Sequence, residues 1–293
     1  MKQHHDKRPW TFYALALFFA LFVLFLYGPM FAIYVLSFQG PSGGLTFPMN
    51  GFSLDWFAAL AGQQRTGDIR GAFGRSISLA VLVLVATVVF SVLAGVAFRR
   101  RFVGSSVVFY MAIASLIMPG LLIGLGTGLM FQFLGLRPNW YTSAFGAQLT
   151  WTLPFGLLIM FAVFNRFNRA YEEAARDLSA TTRQTYQHVV LPILLPGIIA
   201  VALFGFTLSY DEFPRTLLTV GPRNTLPLEI WVMTTNVTSP ALYALGTVTT
   251  AVSFIVITLA LGSIALIQRR RSQRSLTGEA SQAAALSSPK AAQ

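Results

Sequence analysis

The sequence predicts an all-α, polytopic membrane protein with six transmembrane helices, and three observations carry that expectation. Hydrophobic residues make up 55% of the 293-residue chain and charged residues only 11%, at a mean hydropathy of +0.63, a balance far too apolar for an ordinary soluble domain. The apolar residues fall into six runs of crossing length, about 11–38, 77–98, 103–135, 144–164, 192–210 and 241–267. Arginine triplets close two of them, Arg99-Arg100-Arg101 after the second and Arg269-Arg270-Arg271 after the sixth, as expected of segments retained in the cytoplasm. The formal charge of +11 is therefore read by its side of the membrane and not as a nucleic-acid footprint. There are no cysteines, and the three histidines, His4, His5 and His188, are too scattered to suggest a metal site.

Residues 1–9 form a polar, basic N-terminus, and the run from Trp10 to Phe38 is too long for a signal-peptide core and lacks a convincing cleavage site. A retained first span is expected, with Gly28-Pro29 as a possible kink. Gln39 to Arg75 is punctuated by Gly and Pro, and Trp56, Phe57 and Leu60 are spaced as one face of a short interfacial helix. The 103–135 run is longer than one straight crossing needs, and Pro119-Gly120 at its middle predicts a kink or a tilt. Gly120, Gly124 and Gly128 repeat every four residues, a spacing that suits close packing. Arg137 to Thr142 is a short external connection, and Pro154 is a second candidate kink in the fourth span. The fifth span would rise about 28 Å as a helix, one crossing. Residues 211–240 form an external loop with an apolar patch at Leu228 to Met233, and the Ser/Ala/Gln-rich tail, 272–293, is expected to lack order.

Placing both termini inside leaves Arg65, Arg70, Arg75, Arg137, Arg215 and Arg223 outside and the other fifteen Lys and Arg in the cytoplasm. The inverted chain would contradict the positive-inside rule.

The segment around which the chain is organised is Tyr171 to Pro192, charged and amphipathic between two apolar runs. Glu172 and Glu173 stand early in an expected helix, where carboxylates favour the positive end of the macrodipole, and Ala174, Ala175 and Leu178 are good helix formers. A break is expected at Asp177 to Ala180. Thr181 with Gln184 makes a capping-box pattern for a second short helix, running to about Val190 and ended by Leu191-Pro192.

Glu173-Ala174-Ala175, the small residue Ser179 and Leu191-Pro192 together resemble the EAA loop of permease subunits in bacterial ABC importers. The resemblance implies a type I importer permease domain over 10–271 whose loop, 168–191, docks on a cytoplasmic ATPase. Glu172, Glu173, Ala174, Ala175, Asp177, Leu178, Ser179, Ala180, Leu191 and Pro192 are then the coupling residues. The family usually has Gly where this chain has Ser179. If the turn is left-handed there, Ser carries a penalty of roughly 1–2 kcal/mol that Gly avoids.

"LSYDEF" at Leu208 to Phe213, with "GPRNTLPLEIW" and "TSPALYALGT" after it, looks like the spermidine/putrescine group, and "GFSLDWFAAL" resembles that group's first external loop. Asp211 and Glu212 end the fifth span. They read either as carboxylates that draw cationic amines to a pore mouth, with Tyr210 adding cation–π contact, or as a solvated pair that merely terminates the helix. Other cargoes consistent with the family are an aminophosphonate, an amino acid derivative, a metal ion or an oxyanion.

No GxxxxGK[ST] loop is present, so ATP with Mg is expected on a partner. The resemblance implies two such ATPase subunits, a second permease (a heterodimer, with a homodimer open), and an extracytoplasmic solute-binding protein, in the bacterial inner membrane. No catalytic residue, metal or cofactor is expected on the chain itself. An ion-coupled carrier would place ionisable groups inside its spans, and none of the six holds one. An intramembrane enzyme lacks HExxH, cysteine and paired internal carboxylates.

Overall fold

The computed structural model describes residues 9–62, 67–99, 102–236 and 239–287, with side chains for all but 61, 236 and 270–287. The basic N-terminal residues, Arg65 and Arg100-Arg101 lie outside the described residues, as do the side chains of Arg270 and Arg271. The helices are α1 (Trp10–Leu36), α2 (Asp55–Ala61), α3 (Ile69–Phe98), α4 (Ser105–Ile117), α5 (Gly120–Phe133), α6 (Ser143–Asn165), α7 (Ala170–Asp177) and α8 (Thr182–Thr185). A π-helical turn, Tyr186–Val190, then leads into α9 (Leu191–Tyr210), followed by α10 (Leu226–Asn236) and α11 (Ala241–Ser287). Five stretches are long and apolar enough to cross a bilayer, and α4 with α5 makes a sixth if the bent pair is one span.

That pair departs from the expected kinked helix. α4 and α5 meet at 108°, and with 13 and 14 residues neither spans ~30 Å alone. Pro119 has no N–H to continue the ladder and forces its predecessor out of the helical region, so Met118 is extended at ψ 130°. Pro29 and Pro154, by contrast, sit inside the continuous helices α1 and α6.

The expected stop at Leu191-Pro192 is likewise absent. One helical path runs from Thr182 to Tyr210. Pro192 occupies the first turn of α9, and the π turn before it closes with the Leu191 N–H donating to the Tyr186 carbonyl, five residues back. Widening the helix by one residue gives the proline ring room where an α-helical ladder would clash. α3 begins at Ile69, so Arg70 and Arg75 belong to its first turns and not to a loop. The backbone of α11 continues to Ser287, past the residue at which an unordered tail was expected; Ala, Gln, Leu and Glu there are good helix formers.

The chain divides into two compact units. One comprises residues up to Arg70 together with Ile230–Ala251. Here buried Gln39 organises the loop after α1: its Nε2 donates to the Gly44 carbonyl (3.1 Å), its Oε1 accepts from the Asn50 N–H (2.8 Å) and its carbonyl accepts from Trp56 Nε1 (2.9 Å). Trp56 is held on α2, the short helix expected there, and Tyr243 Oη donates to the Leu45 carbonyl (2.7 Å).

The other unit, Gly71–Glu229 with Val252 onward, carries the candidate site. Its core joins Met160 and Phe164 near the end of α6, and Phe167 just past it, to Val190, Leu194 and Val201 on the π turn and α9, with Val88, Val92 and Val96 of α3 packed against them. A Cβ on Gly156 would lie 2.2 Å from Ser91 Oγ, so α6 and α3 approach at a distance only glycine permits. Buried polar side chains are tied across the bundle. Thr87 pairs with Thr152 (2.8 Å), while Gln148 accepts from Ser209 Oγ (2.5 Å) and donates to Thr216 Oγ1 (2.9 Å). Unpaired, each would cost about 1–3 kcal/mol.

Candidate functional site

α7 starts one turn after Phe167 ends the core of α6, with Glu172 and Glu173 in its first turn. It turns Glu172 and Ala175 inward and leaves Tyr171, Glu173, Ala174, Asp177 and Leu178 exposed. Leu178 is 85% exposed at the tip.

Asp177 ends the helix as expected, and Ser179 has φ 62°. The Ala180 N–H donates to the Ala175 carbonyl (3.0 Å) and the Ser179 N–H to the Arg176 carbonyl (2.8 Å), a Schellman motif with Ser at the position usually given to Gly. The left-handed residue considered from sequence is therefore present, and Ser bears its strain. At Thr181 the capping box is complete. Its Oγ1 accepts from the Gln184 N–H (3.3 Å) while Gln184 Oε1 accepts from the Thr181 N–H (2.8 Å).

What holds α7 against the bundle is a residue read from sequence only as a stop signal. Arg99, just past the end of α3, donates from Nη1 to Glu172 Oε1 at 2.6 Å, with both side chains 13% exposed. Its guanidinium lies over the rings of Phe164 (5.6 Å) and Phe167 (5.1 Å), and its carbonyl accepts from Arg169 Nη2 (3.0 Å). One side chain thus ties α3, α6 and α7 together. A cleft of about 470 Å³ opens beside it, lined by Arg99, Arg169, Glu172, Glu173, Arg176 and Tyr186 among others. Leu191 and Pro192 lie beyond it along the helix, Leu191 exposed and Pro192 half-buried.

The other sequence-derived site lies at the far end of α9. Tyr210 is 1% exposed, stacked on Phe206 (5.8 Å) and edge-on to Phe73 (6.5 Å), so its ring faces protein and not an open path. Asp211 caps α9 and is exposed. Glu212 is neither free at a mouth nor solvated. It is 7% exposed, and its Oε1 accepts from the Arg215 N–H (3.0 Å) and Nη1 (3.3 Å). Arg215, 4% exposed, lies over the Trp151 ring at 4.5 Å. The glycine stripe of α5 serves this segment: a Cβ on Gly124 would lie 2.8 Å from the Arg215 carbonyl oxygen and one on Gly128 2.7 Å from that of Leu218. Arg215 had a signal in the sequence, its i,i+3 spacing from Glu212, whereas Trp151 had none.

Residues 87–274 match the family model described as binding-protein-dependent transport system inner membrane component. The chain belongs to that family. It is a multi-pass inner-membrane permease subunit of the ABC importer class. Among its relatives, the putrescine transport system permease protein PotI of Escherichia coli (strain K12) is 29% identical over 249 residues, 82% of this chain and 85% of the relative. The spermidine/putrescine transport system permease protein PotC of the same strain is 27% identical over 235 residues, 80% and 87% of the two chains. A chain of a bacterial ABC transporter involved in import of the acidic polysaccharide alginate superimposes with a TM-score of 0.65 at 15% identity, covering 90% of this permease and 99% of that chain. A chain of the MetNI methionine ABC transporter gives 0.53 at 14%, covering 68% and 95%. These two likenesses establish the shared fold.

Proposed function

We propose that this permease subunit carries a polyamine such as putrescine or spermidine inward, handed over by an extracytoplasmic solute-binding protein. The observation that carries the cargo reading is the likeness to PotI and PotC over four fifths of the chain. In this reading a second permease completes the translocation path and two ATPase subunits bind ATP and Mg. The α7 end faces the cytoplasm, in keeping with the arginines Arg99, Arg166, Arg169, Arg176 and Arg183 gathered there.

Coupling follows from the exposed face of α7. Glu173, Ala174, Asp177 and Leu178 enter a groove of the ATPase, while Ser179, Ala180 and the capped helix start hold the loop's shape. Closure of the ATPases pushes on α7. Arg99 passes the push to α3 and the Phe164–Phe167 rings pass it to α6, while Leu191 and Pro192 continue the loop directly into α9. Four apolar and charged side chains presented to water support a protein partner on that face.

Calorimetric titration of the co-purifying binding protein tests the cargo. Tight binding of putrescine or spermidine is expected. Selective binding of an oxyanion, an aminophosphonate or a zwitterionic amino acid would keep the importer and overturn the polyamine reading.

A further inference from the structure

Arg215, Glu212 and Trp151 form a buried constellation that a simple helix terminus does not need. A guanidinium lies 4.5 Å above an indole and 3.3 Å from a carboxylate, walled on another side by Gly120, where a Cβ would meet Arg215 Nη1 at 2.8 Å. An aromatic face opposed to a carboxylate is how proteins hold organic ammonium and guanidinium ions.

As a structural ion pair, however, it is poorly made. The Nη1–Oε1 separation is long for a charged N–H···O bond, which ordinarily closes to about 2.7–2.9 Å. Both bonds to Glu212 fall on Oε1. Arg215 Nε is buried without a partner among the described residues. A buried pair with such vacant bonding capacity stabilises a fold weakly, because desolvation is only partly offset. Trp151 and Gly120 retain some exposure, and exposed Asp211 adjoins Glu212, so the cage lies one side chain beneath the surface.

We propose that Trp151 and Glu212 form a binding site for the cationic head of the cargo, an alkylammonium or guanidinium group, and that Arg215 is its tethered resting occupant. The cargo's cation displaces Arg215 from the indole and the carboxylate, so the site stays electrically neutral when empty and opens only to a cation that outcompetes the tether. This rests on the organic-cation reading of the cargo. Removing the competitor raises the fraction of binding-competent sites and lowers the apparent dissociation constant in proportion.

The test is putrescine uptake by the complete importer in proteoliposomes, reading KM and kcat separately for wild type, Arg215→Met, Glu212→Gln and the double variant, with the melting temperature of each complex recorded. Arg215→Met is expected to lower KM about tenfold and Glu212→Gln to raise it about tenfold, each equivalent to roughly one displaced or lost cation contact. The double variant should resemble Glu212→Gln. A loop staple would behave differently: both single variants would lose melting temperature and kcat alike, and the double variant would recover, which overturns the proposal. If Arg215→Met does not assemble, Arg215→Lys takes its place. Its compact ammonium covers the indole less well, so KM should fall; an unchanged or higher KM overturns the proposal. Wild-type uptake with no KM change in any variant overturns the proposal and leaves the cargo reading standing. A wild type that imports neither putrescine nor agmatine overturns both.

Discussion

Replacing Ser179 by Gly gives the sharpest test of the coupling loop's construction. At φ 62° a side chain with a Cβ costs roughly 1–2 kcal/mol, which Gly removes. Gly gives back about 0.4–1 kcal/mol through the greater entropy of its unfolded chain, so the net gain is about 0.5–1 kcal/mol. Two hydrogen bonds report it directly, Ala180 N–H to Ala175 and Ser179 N–H to Arg176, because they exist only while the left-handed turn holds. Native-state amide exchange at position 180 in the assembled importer should slow by about threefold in Ser179→Gly. Ser179→Val should speed it by at least as much, since a β-branched residue tolerates this region worse. Equal exchange in all three proteins, or faster exchange in the Gly variant, would refute the strained-turn argument.

Arg99→Ala should destabilise the complex by about 2–3 kcal/mol by leaving Glu172 largely buried without its cation, and Arg99→Lys should recover only part, since an ammonium cannot cover both phenyl rings; thermal unfolding of the complex checks this. Gly124→Ala should cost about 1–3 kcal/mol because its Cβ meets the Arg215 carbonyl. Gly126→Ala, with nothing within 4 Å, should instead stabilise the helix by up to about 1 kcal/mol, and comparing the two melting temperatures tests the packing role of the stripe. Gln148→Leu strands the Ser209 and Thr216 hydroxyls and should lower stability by about 3 kcal/mol; a Leu variant as stable as wild type would show that the polar tie between α6 and α9 contributes little.

The spans that a sequence reads well are those whose apolar runs are unbroken, and α1, α6 and α9 fall where composition places them. Pro119 was visible as a breaker, but a proline alone does not distinguish a gentle kink from a 108° turn; that depends on what α5 packs against, here the carbonyls of Arg215 and Leu218. Leu191-Pro192 misled for a related reason. Pro is read as a stop, whereas a preceding π turn lets the helix pass through it. The turn at Ser179 and the cap at Thr181 were legible because both are local, settled by residues within three or four positions.

Long-range pairings were not legible. Arg99 and Glu172 are 73 residues apart, and an arginine after an apolar run carries the same sequence signal whether it faces lipid headgroups or a neighbouring helix. Tyr210, Asp211 and Glu212 were read as a pore mouth or a solvated helix end, and the sequence neighbours Phe206 and Arg215 were within reach of that reading, whereas Phe73 against Tyr210 and Trp151 against Arg215 were not. Of the two carboxylates expected at a pore mouth, Glu212 is covered and paired with Arg215 while Asp211 stays exposed.

The central claim, an ATP-driven polyamine permease coupled through α7, is tested most directly by putrescine uptake into proteoliposomes holding the complete importer, comparing wild type with Glu173→Lys. Glu173 is exposed on α7, at the other end of α9 from Tyr210 and Glu212, and makes no ion pair among the described residues. Reversing its charge therefore changes the docking face and the cleft beside Arg99 and leaves the residues of the Trp151–Glu212 cage as they are. The wild type should accumulate putrescine only when ATP is supplied on the ATPase side, and Glu173→Lys should lose that uptake together with retention of the ATPase. Uptake that ignores ATP, or a Glu173→Lys importer that transports normally and keeps its ATPase, would contradict the account.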